Sequence, residues 1–434
     1  MVTRTQKAKL NMLSSLASQI AALVCGFIIP RLLISTFGSE IYGATTSITN
    51  FLAYISLIEG GVAGVARAAL YKPLAEGNIK SINAVYAETK RFFHIIGFIF
   101  LAYSLFIAST YNFLAKDINF EWIFTFFLVL AISISTLGQY FFGISNSVLI
   151  SADQKLYIIN ALNVVTIIAN TFATFILTKL EYGIIEIKFV SGIIFIIRPI
   201  YLSLYVKRHY SINKQLVDYP KKQSAIEQKW TALGQHIAYF LHSNTDIAVL
   251  TILSDLKTVA VYSVYNMIVS GLRSLTSSFY NGMEPVFGEL YAKKENTRLH
   301  QVFGYYETLI SVASVSIFSC AASVIIPFVK IYTRGIEDVN YIIPQFGFIL
   351  IVAELVYTIR IPYHYMINAS IRFKQTKAAS YGEAGINIIL SVILVFKYGI
   401  VGVAIATLLA VFFRSVYYAV YLSEHVMHRK IELW

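Results

Sequence analysis

Twelve stretches of mainly apolar residues dominate the sequence, and each is long enough, at about twenty residues, to cross the hydrocarbon core of a bilayer as a helix. They cover residues 10–35, 41–66, 91–112, 122–150, 156–178, 184–206, 230–253, 258–284, 302–327, 342–366, 378–396 and 400–423. Hydrophobic residues make up 57% of the 434 residues and charged residues only 13%, a balance that a soluble domain could not bury. The strands of an outer-membrane barrel would alternate apolar and polar residues, which these stretches do not. The sequence therefore predicts an all-α integral membrane protein with about twelve transmembrane helices.

The basic residues are distributed unevenly between the two sides of these predicted helices. About 22 of the 35 lysines and arginines lie on one side, in the N-terminus, the C-terminal tail and four connections at 67–91, 207–229, 285–301 and 367–377. The opposite loops hold only about six. Because cytoplasmic loops carry the excess of basic residues, both termini are predicted to be cytoplasmic. The same asymmetry explains most of the net charge of +12, so a nucleic-acid partner is not expected.

Local patterns recur along the chain at an offset of roughly 220 residues. Residues 36–48 resemble 254–268, and each segment combines a short outer loop with a tyrosine that opens the next helix. The turn at Tyr182-Gly183 likewise resembles the turn at Tyr398-Gly399. Such internal repeats are typical of transporters. They predict two six-helix lobes, 1–206 and 230–434, joined by a basic cytoplasmic linker, 207–229, that lies near anionic lipid headgroups.

Three groups of residues carry a resemblance to a known family. They are PRLL with FGSEIYG after the first helix, TDIAVLTIL with AVYSVYN across helices seven and eight, and KQTK with FKYGIVGVAIA across the last two helices. In this order they resemble the multidrug/oligosaccharidyl-lipid/polysaccharide (MOP) exporter superfamily. Within it, the sequence is most similar to the polysaccharide transporter branch, the bacterial flippases of undecaprenyl-pyrophosphate-linked O-antigen or capsule repeat units.

That resemblance implies two six-helix lobes around a central cavity that opens alternately to the cytoplasm and to the outside. It implies a location in the bacterial inner (plasma) membrane and a polyprenyl-diphosphate-linked glycan as the transported partner. Membrane lipids, a glycan polymerase and assembly proteins are the further expected partners, and the protein is expected to be a monomer. No cofactor is expected, apart from a sodium ion or a proton that couples transport to a gradient.

Several arginines lie inside predicted membrane helices, where a charge is costly unless it has a function. Arg273 and Arg360 lie deepest, and Arg31, Arg198 and Arg414 are weaker candidates. A guanidinium suits a phosphate because its planar fork donates two hydrogen bonds and stays charged. Helix eight also carries a polar stripe, formed by Asn266, Ser270, Arg273, Ser277, Asn281 and Glu284. We therefore predict a substrate-binding set of Arg273, Arg360, Arg31, Arg198, Asn266 and Ser277.

Structural ion pairs are the alternative explanation for these arginines. Arg360 would then pair with Glu354, six residues away, or Arg273 with Glu284, eleven residues away. Six residues is a poor spacing for two side chains on the same face of one helix, and eleven residues separate the second pair by about three helical turns. The sequence leaves both explanations open.

A second candidate site combines Asp246, Asn387 and Thr407, on helices seven, eleven and twelve. Hard cations prefer oxygen ligands, which these side chains provide. The spacing of Asn387, Val403 and Thr407 resembles the sodium site of the related lipid II flippases, although Ser391 stands where a second carboxylate is expected. The alternative is a buried aspartate that is hydrogen-bonded for helix packing. Helix seven continues this polar face with Gln235, Tyr239 and His242.

Enzyme functions find little support in the sequence. The chain has no Walker A motif, metal-ligand cluster or nucleophile elbow, so we expect a transporter rather than an enzyme. A drug/cation antiporter of the same superfamily is the nearest alternative, but it should carry a carboxylate in the first lobe's cavity. A membrane glycan polymerase or ligase is a further alternative. It would normally carry a large outer loop, which this chain lacks.

Overall fold

The computed structural model describes residues 4–59, 61–116, 119–212, 240, 244–280, 282–372 and 375–429. These residues form helices and their connections, with no strand among them, so the predicted all-α fold is confirmed. Eight described helical segments are long and apolar enough to cross a membrane. The chain divides into two compact units, Met1–Ile237 and Ala238–Trp434, called here the first and the second unit. Most of the predicted linker 207–229 lies outside the described residues.

The described residues of the first unit form eight α-helices. They are α1 (Arg4–Ala53), α2 (Ser56–Glu59), α3 (Val62–Glu76), α4 (Ile79–Leu114), α5 (Trp122–Gly138), α6 (Ile144–Ala152), α7 (Leu156–Lys179) and α8 (Ile184–His209). A π-helical turn, Gln139–Gly143, joins α5 to α6 into one membrane-length segment. Gly38 divides α1 into two arms, because its φ of 83° belongs to the left-handed region that favours glycine. These elements supply the six spans predicted for this half of the chain.

The second predicted span, 41–66, was too long. The second arm of α1 ends at Ala53, a turn and the four-residue α2 follow, and α3 begins as a separate helix at Val62. Gly61 precedes α3 with a φ of 76°, so the backbone changes direction there. Hydropathy alone missed this break because α3 is amphipathic and buries an apolar face formed by Val62, Ala66 and Leu70.

Helices α1 and α7 are held together by polar side chains of the first arm of α1. The amide of Asn160 donates to the hydroxyl groups of Ser14 and Ser15, and the amide of Asn163 donates to Ser18. Small residues let two helix backbones approach closely, and hydrogen bonds between helices are a common contact inside membranes. These contacts make the serine-bearing face of α1 its packing face against α7.

Seven α-helices are described in the second unit. They are α9 (Asn244–Leu253), α10 (Leu256–Tyr280), α11 (Met283–Ala292), α12 (Asn296–Tyr332), α13 (Pro344–Ile359), α14 (Ile361–Ala369) and α15 (Lys377–Leu422). Of the span predicted at 230–253, only Phe240 and α9 are described. Gln235, Tyr239 and His242 lie outside the described residues.

Helix α15 is a hairpin rather than a single rod. Its backbone leaves the helical region at Gly399, with a φ of 54° and a ψ of −135°. A Cβ at Gly402 would overlap the carbonyl oxygen of Leu394, so the two arms touch next to the turn. The turn predicted at Tyr398-Gly399 therefore separates the last two spans. The six spans of this half are α9, α10, α12, α13 with α14, and the two arms of α15.

An ionic cluster joins the α6–α7 turn of the first unit to its first and last helices. The carboxylate of Asp153 accepts a hydrogen bond of 2.6 Å from the hydroxyl group of Tyr210 and contacts Nζ of Lys155 at 2.7 Å. Nζ of Lys7 lies 3.4 Å away. Partial burial opposes ionisation of Asp153, but the hydrogen bonds from Lys155 and Tyr210 outweigh it and lower the pKa of the carboxyl group.

Because its pKa is lowered on folding, Asp153 stabilises the protein above the pKa of the unfolded chain, about 3.9, and this contribution is lost as the pH falls through the lower folded value. We predict that Asp153→Asn costs about 1–2 kcal/mol at pH 7. In melting curves of the detergent-solubilised protein, the difference in melting temperature between the variant and the wild type should become smaller below about pH 4. As a control, Glu76→Gln removes one partner of the exposed Lys72–Glu76 ion pair and should change the melting temperature little. A constant difference between pH 7 and pH 3 would contradict this account.

Candidate functional site

A polar pocket of about 150 Å³ lies inside the second unit. Helices α9, α10 and α13 and the second arm of α15 contribute its walls. Its polar and charged lining residues are Asp246, Tyr262, Asn266, Ser270, Arg273, Glu354, Tyr357 and Thr407. Four of these, Asp246, Asn266, Arg273 and Thr407, are residues that the sequence predicted to bind substrate or cation. The pocket thus combines parts of both predicted sites.

The predicted cation-binding residues meet beside this pocket. Oδ2 of the buried Asp246 lies 2.9 Å from the hydroxyl groups of both Tyr262 and Thr407. The amide nitrogen of Asn387 lies 2.9 Å from the hydroxyl oxygen of Thr407 and 3.4 Å from Oδ1 of Asp246. The hairpin of α15 makes this cluster possible, because Asn387 lies on its first arm and Thr407 on its second. Tyr262 was not predicted as a member.

Two oxygen atoms next to this cluster are buried without a hydrogen-bond partner among the described residues. They are Oδ1 of Asn387 and Oγ of Ser391, which lie one helical turn apart on α15. Buried oxygens normally have a partner, so an unpartnered pair calls for an explanation such as an ion or a water. One carboxylate among neutral oxygens balances a single positive charge. Asp246, Asn387, Thr407 and Ser391 therefore offer the types of oxygen ligand that a monovalent cation such as sodium prefers.

Arg273 and Glu354 form a bidentate ion pair on the wall of the pocket. Nε and Nη2 of the arginine donate to the two carboxylate oxygens at 2.6 and 2.5 Å. The Glu354 side chain is only 6% exposed, whereas 26% of the Arg273 side chain is exposed. The ring of Tyr357 lies 5.1 Å from the guanidinium carbon of Arg273, within the range of a cation–π contact. A rigid guanidinium is thereby held at the edge of the cavity.

A second, fully buried ionic cluster contains two arginines and one glutamate. Glu383, on the first arm of α15, accepts from Nη1 of Arg360 at 2.9 Å and from Nη1 of Arg414 at 2.6 Å. Nη2 of Arg414 also donates to the hydroxyl group of Tyr418 at 2.7 Å. All three charged side chains are 8% exposed or less. The cluster carries one positive charge in excess, and the ring of Tyr357 is within cation–π range of the guanidinium groups of both Arg360 and Arg273.

Several predicted substrate residues do not line the pocket. Arg360 lies in the buried cluster with Glu383, and Ser277 donates to the backbone oxygen of Ser274. Both arginines do form ion pairs, as the alternative explanation required, but the predicted partners were wrong. Arg273 pairs with Glu354, and Arg360 pairs with Glu383. Glu383 was not predicted as a site residue, although an acidic residue inside the predicted span 378–396 was a signal that could have identified it.

The other two predicted arginines, Arg31 and Arg198, belong to the first unit and are absent from the lining of this pocket. Nη1 of Arg198 donates to the amide oxygen of Asn163 at 2.8 Å. Nε of Arg198 is buried without a hydrogen-bond partner among the described residues, and no described carboxylate forms an ion pair with this arginine. Arg198 is therefore a cation held by a neutral side chain, unlike the paired arginines of the second unit.

Comparisons with known proteins identify the fold. No family model matches the sequence, and no curated protein matches it. Among solved structures, it resembles the inward-facing conformation of a multidrug resistance MATE family transporter of the MOP superfamily, with a TM-score of 0.72 and 10% identity over 95% of this chain and 96% of the other. It also resembles the lipid II flippase MurJ in an inward closed conformation, with a TM-score of 0.70 and 15% identity over 95% of this chain and 87% of the other.

A third solved structure, that of the MATE multidrug transporter DinF-BH, gives a TM-score of 0.68 and 15% identity over 97% of each chain. At these identities the similarity establishes a shared fold over nearly the whole chain. The chain is therefore a multi-pass membrane protein with the fold of MOP-superfamily transporters, as the sequence predicted.

Removing the charge of Glu383 should strongly destabilise the second unit, because two buried arginines would lose their only carboxylate partner among the described residues. We predict that Glu383→Gln costs about 3–5 kcal/mol, seen as a lower melting temperature and a lower yield of folded protein in detergent. The double variant Glu383→Gln/Arg414→Gln leaves one fewer unpaired cation and should recover part of the loss. Glu424→Gln, at an exposed position, is the control. A wild-type melting temperature for Glu383→Gln would show that the cluster is not needed for stability.

Proposed function

We propose that the protein is a flippase that moves a polyprenyl-diphosphate-linked oligosaccharide from the cytoplasmic to the outer leaflet by alternating access. One observation carries the anionic substrate: the arginines inside the helices are incompletely neutralised. The cluster at Glu383 holds two arginines for one carboxylate, and Arg198 has a neutral amide as its partner. Uncompensated positive charge at membrane depth is expensive, and a bound diphosphate would offset that cost.

The fold supports transport but does not select the substrate. One solved structure of this fold is the lipid II flippase MurJ, and others are multidrug transporters. A flippase for a lipid-linked glycan needs a polar route for the sugar and the diphosphate, while the polyprenyl chain stays in lipid. The pocket at Arg273 offers polar groups of this kind inside a helical bundle, and Arg273, Asn266 and Arg198 are the residues that we assign to the substrate. The bacterial inner membrane and cytoplasmic termini belong to the same proposal.

We further propose that transport draws on a cation gradient through Asp246. The carboxylate and the unpartnered oxygens of Asn387 and Ser391 provide ligands of the right type for sodium, and a proton could neutralise the same carboxylate. A cation can favour one conformation only through a difference in affinity between the two conformations. The site meets this requirement if the two arms of α15 shift relative to α9, which would separate Asp246 from Asn387 and Thr407.

A drug/cation antiporter is the second candidate, and one observation favours it. The pocket contains two carboxylates, Asp246 and Glu354, against one guanidinium, Arg273. A cationic drug would be attracted by that balance. However, both carboxylate oxygens of Glu354 accept hydrogen bonds from Arg273, so only the carboxylate of Asp246 remains for a cationic ligand.

Purified protein in proteoliposomes should translocate a fluorescent short-chain polyprenyl-diphosphate oligosaccharide and should not export a lipophilic cationic dye. We predict that Arg198→Gln lowers the flipping rate at least tenfold, because a charge-assisted contact with the diphosphate is worth about 1.5–3 kcal/mol. Arg208→Gln, on the exposed end of the same helix, is the matched control. Export of the dye without flipping of the lipid would establish the antiporter instead.

Asp246→Asn should remove the dependence of flipping on a sodium or proton gradient, because the amide cannot balance a bound cation. The rate is measured in the same vesicles with and without an imposed gradient, and Asp338→Asn, at an exposed position, is the control. If the wild-type flipping rate is the same with and without either gradient, the proposed coupling of transport to a cation gradient is rejected. A gradient response that persists in Asp246→Asn would reject only the role of this residue.

A further inference from the structure

The first unit contains its own polar pocket, which no predicted site included. It has a volume of about 200 Å³ and is lined by residues from both arms of α1 and from α5, α7 and α8. Its polar lining residues are Thr49, Ser135, Asn170, Thr174, Lys188 and Ser191. None of the lining residues is acidic. The volume exceeds the roughly 150 Å³ of an engineered cavity that holds benzene, so a group of several atoms fits.

Lys188 gives this pocket a positive charge that the described part of the chain does not balance. Its ammonium group forms no hydrogen bond and no ion pair with any described residue. The side chain is partly buried, and an ammonium that is withdrawn from water without a partner is destabilising. A transporter retains such a group when something else supplies the opposite charge during function.

A second observation is that polar groups of the pocket are without partners among the described residues. Asn170 is only 6% exposed, and its Oδ1 is buried without a hydrogen-bond partner among the described residues. The hydroxyl groups of Ser135, Thr174 and Ser191 also form no hydrogen bond with a described residue. Hydroxyl and amide groups can each donate to an oxyanion, and Oδ1 of Asn170 can accept from Lys188 or from an acidic OH group.

The positive charge continues along α8. Lys188, Ser191, Phe195 and Arg198 follow one another at spacings of three, four and three residues, which places them on one face of the helix. The two cations are separated by ten residues, or about 15 Å along the helix axis. Nε of Arg198 is also without a partner among the described residues. This face of α8 therefore carries two cations and no carboxylate.

We propose that the Lys188 pocket is an oxyanion site that binds a phosphate group, and that the phosphate belongs to the transported substrate. This assignment of the phosphate rests on the proposed flippase function. Lys188 supplies the charge, and Ser135, Asn170, Thr174 and Ser191 supply hydrogen bonds from three helices. A cation is excluded as the occupant because the lining has a positive charge and no acidic side chain. Anion recognition thus lies in the first unit, whereas the carboxylate-containing pocket lies in the second.

The test measures binding directly, in nanodiscs of zwitterionic lipid so that anionic headgroups do not compete. Farnesyl diphosphate and inorganic pyrophosphate serve as the probes, and the rise in melting temperature with probe concentration gives the affinity. We predict that Lys188→Met weakens the binding of farnesyl diphosphate at least tenfold and that Lys188→Arg weakens it less. Lys207→Met, on the exposed end of α8, should bind as wild type does.

The melting temperature without a probe separates a binding role from a structural one. Because Lys188→Met removes an unpaired charge, the variant should melt at the wild-type temperature or above it. Lys188→Gln is a second neutral variant that serves if Lys188→Met does not fold. Tight Lys188-dependent binding of pyrophosphate would identify a free phosphate as the ligand, and binding of farnesyl diphosphate alone would identify a lipid headgroup; both support an oxyanion site.

The proposal is overturned if neither probe binds to the wild type or if the neutral variants bind both probes with unchanged affinity. Failure of the flippase function would look different. Lys188-dependent binding of a diphosphate would then persist in a protein that does not move the fluorescent lipid in proteoliposomes. In that case the oxyanion site stands, and its ligand is not a transported lipid.

Discussion

The cost of placing a charge in hydrocarbon determines how the second unit is assembled. A lone ion inside a bilayer is unstable, and in this unit each described interior arginine meets a carboxylate on another helix or on the other arm of α15. Arg273 on α10 meets Glu354 on α13, and Glu383 on α15 meets Arg360 between α13 and α14. These pairs fix which faces of α10, α13 and α15 turn towards one another. The apolar contacts alone would leave that choice open, because lipid is as apolar as the helix surfaces.

The two units differ in how their interior cations are neutralised. In the second unit, carboxylates accompany every described interior arginine, and Asp246 adds a further acidic group beside neutral oxygens. In the first unit, Arg198 is held by an amide, and Lys188 has no described partner. If both proposed sites operate, the first unit recognises the anionic substrate and the second unit responds to a cation.

The sequence was sufficient for features that depend on one helix at a time. Length and hydropathy identified the spans, and the glycine at 399 marked the reversal in α15. The grouping of Asp246 with Asn387 and Thr407 was available only through the family resemblance, which brings distant helices together. Partners across helices could not be predicted otherwise. The pairing of Glu383 depends on how α13 and α15 are rotated about their axes, and the periodicity of each helix defines its polar face but not the neighbour that the face meets. Lys188 escaped notice because it lies near the start of its span, where a lysine normally reaches the interface.

The hairpin of α15 also bears on how the protein is made. Glu383 and Arg414 lie on opposite arms, and their ion pair is closed by residues of one continuous helical segment that reverses at Gly399. During synthesis these two arms enter a bilayer that would resist either charge alone. If the arms enter the membrane together, each charge is already neutralised by the other. The hairpin would then be a unit of membrane insertion, whose arms are compatible with lipid only as a pair.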